Sequence, residues 1–388
     1  MQEPFDLYSH AIDANPFPYY ADLRKNHPCY WSEKGQLWIL TRYADVLSAA
    51  QDWETFSSAK GNLIDEIPGR SGNTLGTTDP PRHDRMRALV NKAFAKKHLE
   101  HLIVPTVEIA SRQIDLIKSK VDFDFVSDFS SVITVEILFQ MLGLPAREPA
   151  KIRNLVVQSI STDKKARGRN DSHNNAFRHL TGFLAKEIAK RRQNPADDLI
   201  THLANAEIDG YRLTELEVTL TTSMFVIAGV ESLSSFMSIF ALNLADETDA
   251  RHRIVDDNSL MAQAIEESLR YNTSAQRFGR NLTKDIEMHG QQMKAGDKVA
   301  LAFGAANRDP RKFTNPDIYD LDRKPLGHLG FGAGKHFCIG TSLARQVTQT
   351  AMLTFLAEIP AFRMQSRELN WVSSSNFRSP LSLPMRIA

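Results

Sequence analysis

The segment from Leu213 to Leu244 restricts the fold more than any other part of the chain. It is long and rich in apolar residues, and at first sight it suits a bilayer-spanning helix. Glu231 sits near its middle with Ser and Thr around it, and no basic flanks or aromatic belt frame it. A charge at bilayer centre is costly, and a spanning helix normally carries such interfacial anchors. The alternative is a long buried helix crossing a large soluble core, and 388 residues are enough to build one. Thr214, followed three residues on by Glu217, supplies a capping-box start.

The flanking sequence fits a helical surround. A helical pattern runs from Ala14 to Lys25, and another, mostly helical, from Pro81 to Ile200, with breaks at Gly143 and around Ser161 to Asp171. Pro195 and two aspartates precede an apolar run, a further helix-start signal. Two helices follow the long segment, the second from about Asn258 to Tyr271. Gln36–Thr41 reads as a strand; Asp285–Met288, Gln292–Lys294 and Lys298–Phe303, separated by turns at Gly290 and Ala295-Gly296-Asp297, read as small antiparallel strands. A last helix spans about Ile339 to Leu356. The expected fold class is mainly α with a minor antiparallel β component, and no linker or repeat divides residues 1–388 into separate domains.

Composition removes several functions. Lys plus Arg (47) nearly equals Asp plus Glu (46), which argues against a general nucleic-acid binder. Two cysteines, Cys29 and Cys338, make no disulfide framework and fit a reducing cytoplasm. The N-terminus has no basic region followed by an apolar run, so it does not read as a signal peptide, and no membrane association is expected.

The chemistry concentrates in FGAGKHFCIG, Phe331 to Gly340. A thiolate that binds iron needs a site open to the metal, shielded from water, with hydrogen bonds that temper its charge. Glycines let backbone N–H groups approach the sulfur, and a helix beginning near Gly340 would aim its positive end there. A zinc site at His336 and Cys338 lacks a nearby second cysteine and leaves the glycines unexplained. Cys29, between Pro28 and Tyr30, reads as a buried, inert thiol.

This loop resembles the haem-binding signature of the cytochrome P450 family, with Phe331, Gly334, His336, Cys338 and Gly340 on its fixed positions. The resemblance covers nearly the whole chain and implies the cytochrome P450 fold around one haem b, with Cys338 as iron ligand. EESLR matches the family's Glu-x-x-Arg helix, which implies that Glu267 and Arg270 join Arg323 in a structural ion-pair network. His83 and Arg87 in DPPRHDRMR, Arg280 in GRNLTKD, and His336 match positions that contact the haem propionates; Arg82 and Arg85 read as surface charges. AGVES resembles the oxygen-activating segment of the long helix. There Gly229 leaves room for dioxygen, and Glu231 with Ser232 helps deliver protons, serine standing where the family usually has threonine.

By family position the substrate pocket is lined by the loop from Asn62 to Leu75, Met224, Phe225, Ala228, Ala275, Gln276, Phe278, and Ser375, Asn376 and Phe377. The family's proline after the Glu-x-x-Arg helix is missing from NTSAQRFGR, so that wall is expected to differ. The implied reaction inserts one atom of O2 into a small organic substrate, with electrons from a ferredoxin and ferredoxin reductase steered by Lys92, Lys96, Lys97 and Lys335. A peroxide-driven oxygenase and a non-catalytic haem sensor remain alternatives on the same fold. The Glu231-Ser232 pair speaks against both, because neither needs a proton relay.

Overall fold

The computed structural model describes residues 5–91, 94, 99–145, 148–208, 210–324 and 327–388. Its helices are α1 (His10–Ala14), α2 (Phe17–Asn26), α3 (Tyr43–Gln51), α4 (Arg82–Asn91), α5 (Ile103–Lys118), α6 (Ser131–Leu142) and α7 (Pro149–Ile160). They continue as α8 (Asp171–Gln193), α9 (Leu199–Asn205), α10 (Glu215–Asp246), α11 (Thr248–Asp256), α12 (Met261–Tyr271), α13 (Phe303–Ala306) and α14 (Thr341–Glu358).

Helix α10 is the buried axis that its sequence demanded. The Thr214 hydroxyl accepts from the Glu217 N–H, and the Glu217 carboxylate accepts from the Thr214 N–H, so the capping box closes in both directions. Apolar residues then fall on every side of the helix, and α6, α7, α8, α12 and α14 pack around it. The Gly143 break is a left-handed C-cap of α6 (φ 73°), and Asp198 caps α9 by accepting from Thr201 N–H at 2.8 Å.

Strands β1 (Cys29–Ser32), β2 (Leu37–Leu40) and β3 (Phe56–Ser57) lie in the N-terminal part, and β4 (Asp122–Asp124) follows α5. Short hairpins form from β5 (Glu207–Ile208) with β6 (Tyr211–Arg212), and from β8 (Ile286–Met288) with β9 (Gln291–Met293). Strands β7 (Phe278–Leu282) and β10 (Lys298–Leu301) join the first three in the order β1-β2-β10-β7-β3. A second sheet has the order β11 (Phe362–Met364), β12 (Pro384–Ile387), β4. The β component is therefore not purely antiparallel. β2 and β10 pair in parallel, Val299 opposite Trp38, across a connection that contains most of the helical core. That pairing fastens the N-terminal segment to the strand that leads into the cysteine loop region.

Candidate active site: a cavity beside the cysteine loop

Between Phe331 and Gly340 the chain makes one tight helical turn at Gly334–His336 and returns, so that Cys338 N–H donates to Phe331 O at 3.0 Å. Gly334 has φ 69°, and a Cβ there would lie 2.2 Å from Ala50 O. Glycine is needed because the loop is pressed against α3, rather than to let the sulfur be approached. Helix α14 starts at Thr341, directly after the cysteine. The thiol's exposed surface opens into the central cavity, and protein encloses its other sides. Burial pushes its pKa up, while the Gly340 N–H, Arg87 and Arg345 act the other way. Such a sulfur becomes a thiolate readily only with a further cation beside it.

The cavity measures about 310 Å³. Helix α10 lines it with a stripe at spacing four, Met224, Ala228 and Ser232, together with Phe225 and Gly229. Opposite stand the cysteine loop, the 62–76 loop, Thr273–Ala275, Phe278 and Phe377.

At one margin four cationic or ionisable side chains gather. His83 and His336 pack ring against ring at 4.6 Å, and both Nε2 atoms are buried without a hydrogen-bond partner. Burial lowers the His83 pKa and takes His336 down to about 4, with Arg280 and His83 adding to the effect on His336. Asp79 Oδ1, 3.9 Å from His336 Nε2, opposes this but is too far for a hydrogen bond. Arg280 is buried, and its guanidinium donates only to the adjacent Gly279 O, at 2.7 Å. Among the described residues no carboxylate comes within ion-pair distance of it, and burial lowers its pKa to about 10. Arg87 donates to Lys335 O at 3.1 Å. Unpartnered buried donors beside an apolar cavity are the chemistry that a bound dicarboxylate such as haem would satisfy.

The α10 residues have separate tasks. A Cβ on Gly229 would lie 2.7 Å from Leu138 Cδ2, so the missing side chain lets α6 approach α10 at the cavity wall. Ser232 faces the cavity, and its carbonyl accepts from Ser274 Oγ at 3.3 Å. Glu231, expected to help Ser232 deliver protons, does not itself line the cavity. It points away from the cavity, fully buried, where Oε1 accepts from Ser379 Oγ at 2.5 Å and Ser235 Oγ at 3.1 Å, with Arg153 Nε 3.7 Å from Oε2. Adjacent helical residues diverge by about 100°, and here the carboxylate of Glu231 is turned from the cavity by its bonds to Ser379 and Ser235.

Three further expectations about the cavity lining are corrected. Gln276 is wholly buried and outside the cavity; its Nε2 donates to Thr273 O at 2.5 Å, and its carboxamide occupies the space left by Gly304. Asn376 is also outside the lining and ties backbones together, accepting from Ile64 N–H at 3.1 Å and donating to Arg277 O at 2.8 Å. Both sit on the side of their strand-like segments that faces away from the opening. Ser375 is likewise engaged elsewhere, donating to Asp65 Oδ2 at 2.7 Å.

Behind the loop, Arg270 and Glu267 form a wholly buried pair with contacts of 2.7 and 2.8 Å, joined by Arg323 Nε at 3.1 Å. A parallel set was not anticipated: Arg345 of α14 forks onto Glu266 at 2.6 and 2.8 Å, and His328 Nε2 meets the same carboxylate at 2.9 Å. Arg345 also lies over the Phe331 ring, 4.7 Å from its centroid. Leu138, Ile160, Phe94 and Phe303 line the cavity without any local sequence signal, since each looks like an ordinary core residue. Arg82 is surface-exposed yet forms an ion pair with the buried Glu217. Cys29 is buried against Met293 Sδ at 3.6 Å, and burial drives its thiol to about 12. Lys335 is paired with Asp84 at 3.0 Å; Lys92, Lys96 and Lys97 lie outside the described residues.

A cysteine loop before a helix, a long helix with a small-residue gap facing it, and a ring of unpartnered donors together define a haem-thiolate oxygenase. Comparison with known proteins agrees. Residues 7–371 match the family profile Cytochrome P450, and the chain belongs to that family. It is 31% identical to nocardicin C N-oxygenase of Nocardia uniformis, over 97% of this chain and 96% of that protein. It is also 31% identical to cytochrome P450 109 of Bacillus spizizenii, over 91% and 86% respectively. The solved structure of the bacillaene polyketide synthase cytochrome P450 PksS of Bacillus subtilis superposes with a TM-score of 0.91 at 27% identity, covering 99% of this chain and 100% of that one. The protein is accordingly a monooxygenase of the oxidoreductase class whose cofactor is haem b.

Proposed function

We propose that the chain hydroxylates or oxidatively dealkylates a small, largely apolar organic molecule in the cytoplasm, with Cys338 as iron ligand and with electrons from a separate ferredoxin and its reductase. The observation that carries this reading is the opening of the Cys338 thiol into a cavity whose margin presents the unpartnered donors of His83, His336 and Arg280. When bound, the haem supplies reductive activation of dioxygen, with one oxygen atom going to the substrate and the other leaving as water.

The residues of this chain do the rest. Arg280 and Arg87 bring charge to the propionates, and His83 and His336, whose pKa values burial lowers, serve as N–H donors. Ser232 offers the cavity-facing hydroxyl for proton delivery. Glu231 acts at a remove, holding α10 to Ser379 and Arg153. Gly229 and Ala228 keep the α10 wall low at the reacting centre. The face bearing Lys335 and the cysteine loop receives the electron donor, and a reduction rate that falls with ionic strength is expected there.

The test is spectroscopic. The reduced protein under carbon monoxide should show the red-shifted Soret band of thiolate ligation. Cys338→Ala should lose it, and Cys29→Ala should keep it. A Cys338→Ala protein that retains the band refutes the ligand assignment.

A further inference from the structure

Toward the N-terminal end of the α10 stripe, the cavity wall carries two hydrogen-bond donors that the reaction leaves unused. A Cβ at Gly76 would lie 3.0 Å from Asn62 Nδ2 and 3.3 Å from Met224 Sδ, which places the Asn62 carboxamide beside Met224. Arg70 sits against the same carboxamide, donating from Nη2 to Asn62 Oδ1 at 2.5 Å. Its Nε and Nη2 also fork onto Glu66 at 2.7 and 2.9 Å. Arg70 and Asn62 both line the cavity, and Arg70 is only 5% exposed. Arg70 Nη1 and Asn62 Nδ2 make no hydrogen bond to any described residue, neither is among the fully occluded polar atoms, and both residues line the cavity. The wall around them is otherwise apolar, with Leu63, Ile67, Leu75, Met224, Phe225 and Phe94.

At the cavity wall Arg70 and Glu66 cancel one another; Arg169 and Lys298 also act on Glu66, with Asp65 opposing them, but none of these three lines the cavity. Burial alone would raise the Glu66 pKa, but Arg70 and the N–H groups of Leu63 and Ile67 hold it below the ordinary carboxylate range, so the carboxylate is ionised and cancels the guanidinium. A carboxylate brought here by a ligand would be a buried charge without a free counterion on the cavity wall. A hydrocarbon would strip water from two N–H groups and give them nothing in return. A carbonyl oxygen has two lone pairs, is uncharged, and satisfies both donors.

We propose that Arg70 and Asn62 select substrates presenting an uncharged carbonyl oxygen on an otherwise apolar frame; the inference rests on the oxygenase reading above and names the substrate class for it. The carbonyl would lie at the level of Met224, one helical step of four residues, about 6 Å, from the level of Ala228. The carbon to be oxidised therefore stands on the order of 6–12 Å from the carbonyl along the α10 axis.

The experiment uses the purified haem-loaded protein and three probes on one bicyclic frame: 2-decalone, trans-decalin and decalin-2-carboxylate. Affinity is measured by the Soret shift and, independently of any spectrum, by equilibrium dialysis. The read-out is the ratio of ketone to hydrocarbon affinity in each protein, which cancels the solvation difference between probes. Wild type should favour the ketone over both others. Asn62→Leu should lower the ketone-to-hydrocarbon ratio about fivefold, the equivalent of one neutral hydrogen bond. Arg70→Lys, which keeps a cation against Glu66, should lower it about tenfold. Decalin's own affinity should be retained in both. Equal binding of ketone and hydrocarbon in wild type, tightest binding of the carboxylate, or an unchanged ratio in Asn62→Leu would each overturn the proposal. Should Arg70→Lys fail to fold, the Asn62→Leu result decides alone. Loss of the thiolate-type carbon monoxide band in wild type would instead reject the oxygenase reading, whatever the dialysis ratios show.

Discussion

Glu267→Gln should destabilise the protein severely without touching the cavity. Glu267 and Arg270 are both fully buried. The five N–H groups of Arg270 are all spoken for: two reach the Glu267 carboxylate at 2.8 and 2.7 Å, and the others reach Asn307 O, Pro316 O and Ile318 O at 3.1, 2.7 and 3.1 Å. Glu267 Oε1 also accepts from Asp320 N–H at 3.0 Å and from Arg323 Nε at 3.1 Å. The amide removes the negative charge from two arginines and turns one acceptor into a donor that faces an N–H. Breaking a wholly buried pair by neutralising one member costs about 3–5 kcal/mol. Against a typical stability of about 5–15 kcal/mol, the variant should fold but with little margin. Its neighbour is the control. Glu266 is part-exposed and its Arg345 partner is 40% exposed, so Glu266→Gln should cost less, about 1–3 kcal/mol. Guanidinium unfolding of the haem-loaded proteins, followed by far-ultraviolet dichroism and by the thiolate-type carbon monoxide band, should give a much lower midpoint for Glu267→Gln than for Glu266→Gln. Equal midpoints, or a larger fall for Glu266→Gln, would show that burial of the pair does not set its weight.

Gly229→Ala gains helix propensity of about 1 kcal/mol but drives a Cβ to 2.7 Å from Leu138 Cδ2; a net loss of about 1–2 kcal/mol is expected, relieved by adding Leu138→Ala, and thermal melts of the single and double variants check it. Arg280→Ala removes a buried cation that has no other carboxylate partner, so haem should leave about tenfold faster in transfer to a haem-scavenging apoprotein. Glu266 carries a pH signature. Burial would raise its pKa, but Arg345 and His328 bring it to about 2 from 4.5, so its stabilising contribution is complete above pH 4.5 and fades as pH falls toward about 2. The stability gap between wild type and Glu266→Gln should therefore close across that window; a gap independent of pH would refute the ion-pair account.

What the sequence revealed and what it hid follow a physical division. Features whose cause is local were legible: the capping box at Thr214 and Glu217, the Gly143 stop, the hairpin turn at Gly290, and the compact cysteine loop. Strand β7 was hidden because its interior residues are Gly279 and Arg280, which give no apolar alternation; the arginine points to the site rather than to a core. The parallel pairing of β2 with β10 joins segments with no mutual signature in the chain. The same limit applied at the cavity. Met224, Ala228 and Ser232 could be read from one helix at spacing four, whereas Leu138 and Ile160 arrive from other helices and look like any core residue. Gln276 and Asn376 were misplaced because position along a family pattern does not tell which side of an irregular segment faces the opening. Gly229 was found, but the close neighbour it accommodates is Leu138.

The donors that suit the site to haem carry a stability cost of their own. Burial pushes the Cys338 thiol toward its neutral form, depresses His83 and His336, and brings Arg280 down to about 10, each without a protein partner that fully compensates. Each buried donor without a partner costs on the order of 1–3 kcal/mol. The surrounding scaffold is built to withstand this. The pair Glu267–Arg270 and the fork of Arg345 on Glu266 fix the two sides of the loop from behind, and the aromatic contact of Arg345 on Phe331 ties them together. A ligand that supplies a metal cation to the sulfur and anionic oxygens to the donors removes these penalties at once, so its binding energy becomes folding energy. The polar groups that make the site capable of holding haem are thus the ones that make the protein depend on it.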